Sequence, residues 1–89
     1  MHNMVYLIGR LARDVKGKDL TLAVARSYKN KDGIYETDFI ECELLGAIVD
    51  NVREYCRKGD LVGIKGCLRS GNKVIIEKIT FLASHKKHK

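Results

Sequence analysis

A single stretch of this chain repeats its apolar residues at helical spacing, and everything around it reads as strand. Between Ala47 and Arg57, Ile48, Val52 and Tyr55 recur along one helical face, with Val49 and Cys56 flanking them. Arg57 and Lys58 complement the negative end of that helix, and Gly59 is placed to stop it. With one helix in 89 residues, the core has to come mainly from sheet, and the length allows one domain.

Three strand segments precede the helix. Asn3 to Arg13 puts Val5, Leu7 and Leu11 on one face and Tyr6 and Ile8 on the other. Apolar residues on both faces suit a closed or doubly covered sheet. After a turn at Lys16-Gly17-Lys18-Asp19, Leu20 to Lys29 alternates Leu22 and Val24 with Thr21, Ala23 and Ala25. Asn30-Lys31-Asp32-Gly33 then supplies the Asp-Gly pair that hairpin loops prefer. Tyr35 to Leu45 returns with Ile40, Cys42 and Leu44 on one face and Thr37, Phe39, Glu41, Glu43 and Leu45 on the other. The two glutamates mark that second face as wet, so Phe39 and Leu45 are expected to be exposed apolar groups.

Two strands follow the helix. Leu61 to Leu68 places Val62, Ile64 and Leu68 on one side, and Lys73 to Leu82 runs on beyond the short turn Ser70-Gly71-Asn72. Three strands, a helix and two strands is the order of an OB-fold, whose helix closes the barrel between strands three and four. The expected fold class is all-β with one helix, a five-stranded OB-fold barrel. It would fill residues 1–82 as one domain and leave 83–89 as a short basic tail.

Lysine and arginine number 17 against 11 acids, a formal charge of +6. That excess suits a polyanion without specifying one. No apolar run approaches the ~20 residues that span a bilayer, and Met1 to Asn3 lacks the features of a signal peptide. A cytoplasmic, nucleoid-associated location with no membrane partner is expected. Cys42, Cys56 and Cys67 are widely spaced, with no CxxC pair, and are expected to be buried free thiols. There is no P-loop, GxGxxG or HExxH motif. His85-Lys86-Lys87-His88 reads as a solvated basic tail, since its lysines repel cations, and Asp38 and Glu41 fall on opposite strand phases. No enzyme, cofactor or metal is expected.

What remains is a basic surface interleaved with aromatics, the combination used to bind single strands: bases stack on rings while cations follow the phosphates. Tyr28 and Phe39 lie on either side of the 29–34 turn, which suggests cross-strand proximity. Arg10, Arg26, Lys29, Lys31, Arg69 and Lys73 are the candidate cations.

Six segments carry a resemblance to a known family. Asn3-Met4-Val5-Tyr6-Leu7-Ile8-Gly9-Arg10-Leu11 resembles the first strand of bacterial single-stranded DNA-binding proteins, and Leu20-Thr21-Leu22-Ala23-Val24-Ala25-Arg26 resembles their second. Thr37-Asp38-Phe39-Ile40-Glu41-Cys42 is similar to the third, and Asn51 through Asp60 to the helix and its following turn. Ile64-Lys65-Gly66-Cys67-Leu68-Arg69-Ser70 and Ile79-Thr80-Phe81-Leu82 complete the series. The resemblance implies sequence-tolerant binding of single-stranded DNA, with RNA also admissible, by a homo-oligomer, dimer or tetramer. It places Tyr28 and Phe39 where the family has stacking aromatics, Leu45 where it usually has a third, and Arg10 and Arg26 where basic residues commonly face DNA.

The departures are specific. Leu45 lacks a stacking face, the hairpin at 70–72 is short, Glu41 and Glu43 bring negative charge to the binding face, and tryptophan is absent. The chain ends on a basic tail rather than an acidic tip, so tip-mediated recruitment of repair proteins is not expected. Fold retention with weaker DNA binding follows from these differences. The alternatives are a PriB-like primosomal protein and an OB module that uses Phe39 and Leu45 as a dry protein contact.

Overall fold

The computed structural model describes residues 3–84, so the histidine and lysine run from His85 to Lys89 lies outside the described residues. The alternating segments form β1 (Val5–Leu11), β2 (Asp19–Lys29), β3 (Tyr35–Leu44), β4 (Leu61–Arg69) and β5 (Lys73–Ala83), with α1 (Gly46–Tyr55) between β3 and β4. The strands close into a barrel in the order β1-β2-β3-β5-β4. All pairings are antiparallel except β3 with β5, where Cys42, Glu43 and Leu44 run beside Val74, Ile75 and Ile76. The expected five-strand barrel with one helix is the fold the chain adopts.

Alternation explains the interior. Leu11, Leu20, Leu22, Cys42, Leu44, Val62, Ile64, Val74 and Ile76 point inward and are buried. Each large aliphatic side chain so buried contributes roughly 1.5–3 kcal/mol. Val52 and Cys56 of the helix side join the same core, with Ile48 and Val49 packed against it. All three cysteines are free; Cys42 and Cys56 are buried and Cys67 is half-buried. Burial pushes the Cys42 thiol up to about 11, and also raises that of Cys56, so both stay protonated near neutrality.

Local chemistry sets the turns. Lys16 and Asp19 exchange backbone hydrogen bonds of 3.1 and 2.9 Å around Gly17, whose φ of 59° favours a residue without Cβ. At the C-terminal end of α1, one Arg57 guanidinium nitrogen donates to the carbonyls of Arg53, Glu54 and Cys56. This satisfies acceptors that a helix end leaves open. Asp60 accepts the backbone N–H of Arg57 at 2.8 Å, and Asp14 that of Lys58 at 2.7 Å, so this turn is tied to the chain just beyond β1.

β1 is shorter than the Asn3 to Arg13 read from sequence, one end each of β2, β4 and β5 moves by one residue, and the boundary between β3 and the helix shifts. The helix runs from Gly46 to Tyr55 rather than from Ala47 to Arg57, and Leu45 is its N-cap rather than the last residue of the third strand. Leu45 makes no side-chain cap hydrogen bond, because leucine has no oxygen to accept one. The sequence therefore carries none of the polar signals that usually mark a helix start.

Candidate nucleic-acid interface

Strand register assembles the site. Arg10 of β1 lies opposite Ala23 of β2, and Ala23 lies opposite Phe39 of β3. Adjacent strands are about 4.8 Å apart, so the cation and the ring stand roughly 10 Å apart across a methyl group. Phe39 is 67% exposed. Alongside, a groove of about 320 Å³ is lined by the small residues Gly9, Ala23, Ala25 and Thr37 together with Ile8 and Arg10. Arg10 donates one guanidinium nitrogen to the Gly59 carbonyl at 2.9 Å, which fixes its side chain beside this groove. A slot floored by small side chains, with an aromatic on one side and a cation on the other, can take a base against the ring and a phosphate against the guanidinium.

The other candidates are distributed differently. Arg26 forms a two-pronged pair with Asp38, at 2.9 and 3.1 Å, and reaches Glu36 at 2.8 Å. Its hydrogen bonds and charge hold the Asp38 carboxyl below its ordinary range, and Asp38 raises the guanidinium in return. Arg26 is thus occupied by carboxylates of its own hairpin.

Tyr28 is exposed, but the expected proximity to Phe39 is not what the register provides. Between Ala25–Thr37 and Lys29–Tyr35, β2 holds three residues where β3 holds one. Tyr28 is therefore five residues along β2 from the position opposite Phe39, and it lies within electrostatic reach of Arg26.

Glu41 and Glu43, whose negative charge the sequence puts on the wet face, have partners inside the chain. Glu41 accepts the Thr21 hydroxyl at 3.1 Å and lies 3.7 Å from Arg13. Glu43 lies 3.8 Å from both Lys18 and Lys73, and Lys73 is also 3.8 Å from Asp19. Exposed pairs of this length add little stability, but they cancel field at the face, so repulsion of phosphates is weaker than the sequence suggested. Lys73 faces Arg69 at the β4–β5 turn, away from the Arg10–Ala23–Phe39 row. Lys29 and Lys31 are exposed near the tip of the β2–β3 hairpin, and Leu45 is exposed at the start of α1.

Sequence reasoning overlooked Tyr35. It is exposed, stands opposite Lys29, and has the lysine ammonium 5.6 Å from its ring centroid. The signal was present, since Tyr35, Thr37 and Phe39 share one strand phase.

The model of the single-strand binding protein family matches residues 2–77. The chain belongs to the single-strand binding protein family. Its relatives in that family include single-stranded DNA-binding protein B of Bacillus subtilis, 38% identical over 79 residues, covering 79% of this chain and 70% of that protein. Single-stranded DNA-binding protein 1 of Streptococcus pyogenes is 38% identical over 81 residues, covering 81% of this chain and 62% of that one. The Staphylococcus aureus protein of the same name is 41% identical over 81 residues, covering 81% and 48% respectively. The chain thus matches between about half and seven tenths of these relatives' length.

Among solved structures, a deletion mutant of the single-stranded DNA binding protein from Thermus aquaticus superposes with a TM-score of 0.71. It is 23% identical, and the match covers 91% of this chain and 50% of that one; this likeness concerns the fold. The family resemblance expected from the six segments holds.

Proposed function

We propose that this chain binds single-stranded DNA with little base preference, stacking bases on Phe39 and placing phosphates against Arg10 and the hairpin lysines Lys29 and Lys31. The observation that carries this reading is the Arg10–Ala23–Phe39 row beside a groove lined by small residues. Single-stranded DNA-binding relatives in three bacteria support it. Tyr28 on β2 and Leu45 just past the end of β3 extend this path, while Arg69 and Lys73 stand at the β4–β5 turn outside it. Arg26 serves the hairpin's internal structure. The primosomal alternative is not favoured, because the matched family and these relatives are all described as single-strand binders. On this reading the chain is a binding protein rather than an enzyme, working in the cytoplasm beside the nucleoid. No helix among the described residues is long and apolar enough to cross a membrane.

The reading includes a homo-oligomer. Tyr6 and Ile8 are exposed on the outer face of β1, where they line a groove of about 500 Å³ with Gly63, Lys65, Lys78 and Thr80. Apolar groups gathered on one sheet face favour burial against another protein surface. In the register, Val5 to Gly9 pair with β4, whereas β1 meets β2 only at Arg10 and Leu11. One edge of that stretch is thus left without a ladder partner among the described residues, and an unpaired strand edge is a template for a second chain.

Titration with oligo-dT at two salt concentrations tests the function, with mass measured in the same buffer. Three phosphates neutralised on a single strand predict a slope of log affinity against log salt near −2, from about −0.7 per phosphate. A flat response, or equal affinity for duplex, would remove the phosphate-tracking and stacking mechanism.

A further inference from the structure

We propose that the tip of the β2–β3 hairpin is a second stacking station for the same strand, with Tyr35 taking a base and Lys29 the phosphate next to it. This rests on the single-strand reading above and adds a residue to it. Tyr35 shares the outward phase of Thr37 and Phe39 and lies four residues from Phe39, about 13 Å along the strand. Thr37, between them, lines the groove beside Phe39. One strand of nucleic acid lying along β3 would therefore meet Phe39, then the groove, then Tyr35.

The tip presents suitable chemistry on that face. Lys29 sits opposite Tyr35 in the ladder with its ammonium 5.6 Å from the ring centroid, a geometry of cation–π attraction. Tyr35 is nevertheless 55% exposed, so ring surface remains for a base. The carboxylates of this part of β3, Glu36 and Asp38, fall on the opposite phase and are held by Arg26. An incoming phosphate therefore meets the lysine with those acids turned away.

The station is also braced. The Asn30 side-chain oxygen accepts the backbone N–H groups of Asp32 and Ile34 at 2.9 and 3.0 Å, and its amide nitrogen donates to Glu36 at 3.0 Å. Glu36 in turn holds Arg26, and Arg26 holds Asp38. The network runs along the opposite side of the hairpin and spans the register irregularity between Ala25 and Lys29. It fixes the tip before a ligand arrives, which lowers the ordering cost of binding.

The test compares Tyr35→Ala, Tyr35→Phe and Phe39→Ala with wild type in oligo-dT titrations, with melting temperature measured for each. Tyr35→Ala is expected to weaken binding at least about fivefold, the low end for a lost base stack, with its melting temperature unchanged. Tyr35→Phe keeps the ring and should bind like wild type. The chain has four tyrosines and no tryptophan, so Tyr35→Phe should also show less quenching of tyrosine emission on binding. Wild-type affinity in Tyr35→Ala beside weakened Phe39→Ala would overturn this station and leave the Phe39 site standing. Equal weakening by Tyr35→Phe and Tyr35→Ala would overturn stacking as the role of the ring. Absence of oligo-dT binding by wild type would overturn both the station and the reading it rests on.

Discussion

Phe39→Ala is expected to weaken oligo-dT binding by roughly 1–3 kcal/mol and to leave the melting temperature nearly unchanged. The two halves of this expectation come from one fact. The ring is 67% exposed and so contributes little burial to the fold, yet it faces Ala23 in a row with Arg10. Removing it deletes the stacking surface and leaves the cation in place. The salt dependence of the variant should therefore match that of wild type, because the phosphate contacts survive. Isothermal titration at two salt concentrations, with thermal melts alongside, checks all three points. A variant that melts early or loses subunits would assign Phe39 to structure.

The largest expected effect on stability comes from Gly66 of β4. A Cβ built on Gly66 would run into the Ile75 carbonyl oxygen, and that Cβ would lie 2.9 Å from the Ile75 carbonyl carbon and 3.2 Å from the Ile76 Cα. Those are backbone atoms of the neighbouring strand, paired in the ladder at this point, so relief requires β4 and β5 to separate. Gly66→Ala should cost at least ~2 kcal/mol, within the range of overpacked cores. For a domain of this size that lowers the melting temperature by at least ~8 °C.

Gly63 is three residues earlier in the same strand. A Cβ there meets only the Leu82 and Ile8 side chains, at 3.7 and 3.9 Å. Gly63→Ala should be neutral, or stabilising by up to ~1 kcal/mol through the unfolded chain. Thermal melts of the pair check this, and similar losses in both would show that strand approach at Gly66 is not the cause.

The parts of the fold that the sequence made legible are those governed by short-range periodicity. The alternation of Ile40, Cys42 and Leu44 against Phe39, Glu41 and Glu43 is a property of one strand, and the core follows it. Arg57 marks the end of the helix because capping is local; Gly59, expected to stop the helix, instead takes a positive φ in the turn beyond the Cys56 cap. Pairing across strands is not local, and there the reading was incomplete. The extra β2 residues between Ala25 and Lys29 separate Tyr28 from Phe39, and no residue in that stretch announces them.

The fate of the cations was likewise hidden. Arg26 meets Asp38, twelve positions away, and Lys73 of β5 meets Glu43 on the adjacent β3 and Asp19 beyond it, so composition overcounted the charge available to phosphates. Tyr35 was readable from its phase alone.

Base stacking on Phe39 requires nucleic acid to meet the β1–β2–β3 face of the barrel. Backbone amide chemical shifts, recorded as oligo-dT is added to the isotopically labelled protein, read that face directly. The largest changes are expected at Arg10, Ala23, Ala25, Thr37 and Phe39, which line or border the β1–β2–β3 groove. They should diminish together as salt is raised. Changes confined to Tyr6, Lys65, Lys78 and Thr80 on the β1–β4–β5 face, with the Phe39 row silent, would contradict stacking on Phe39.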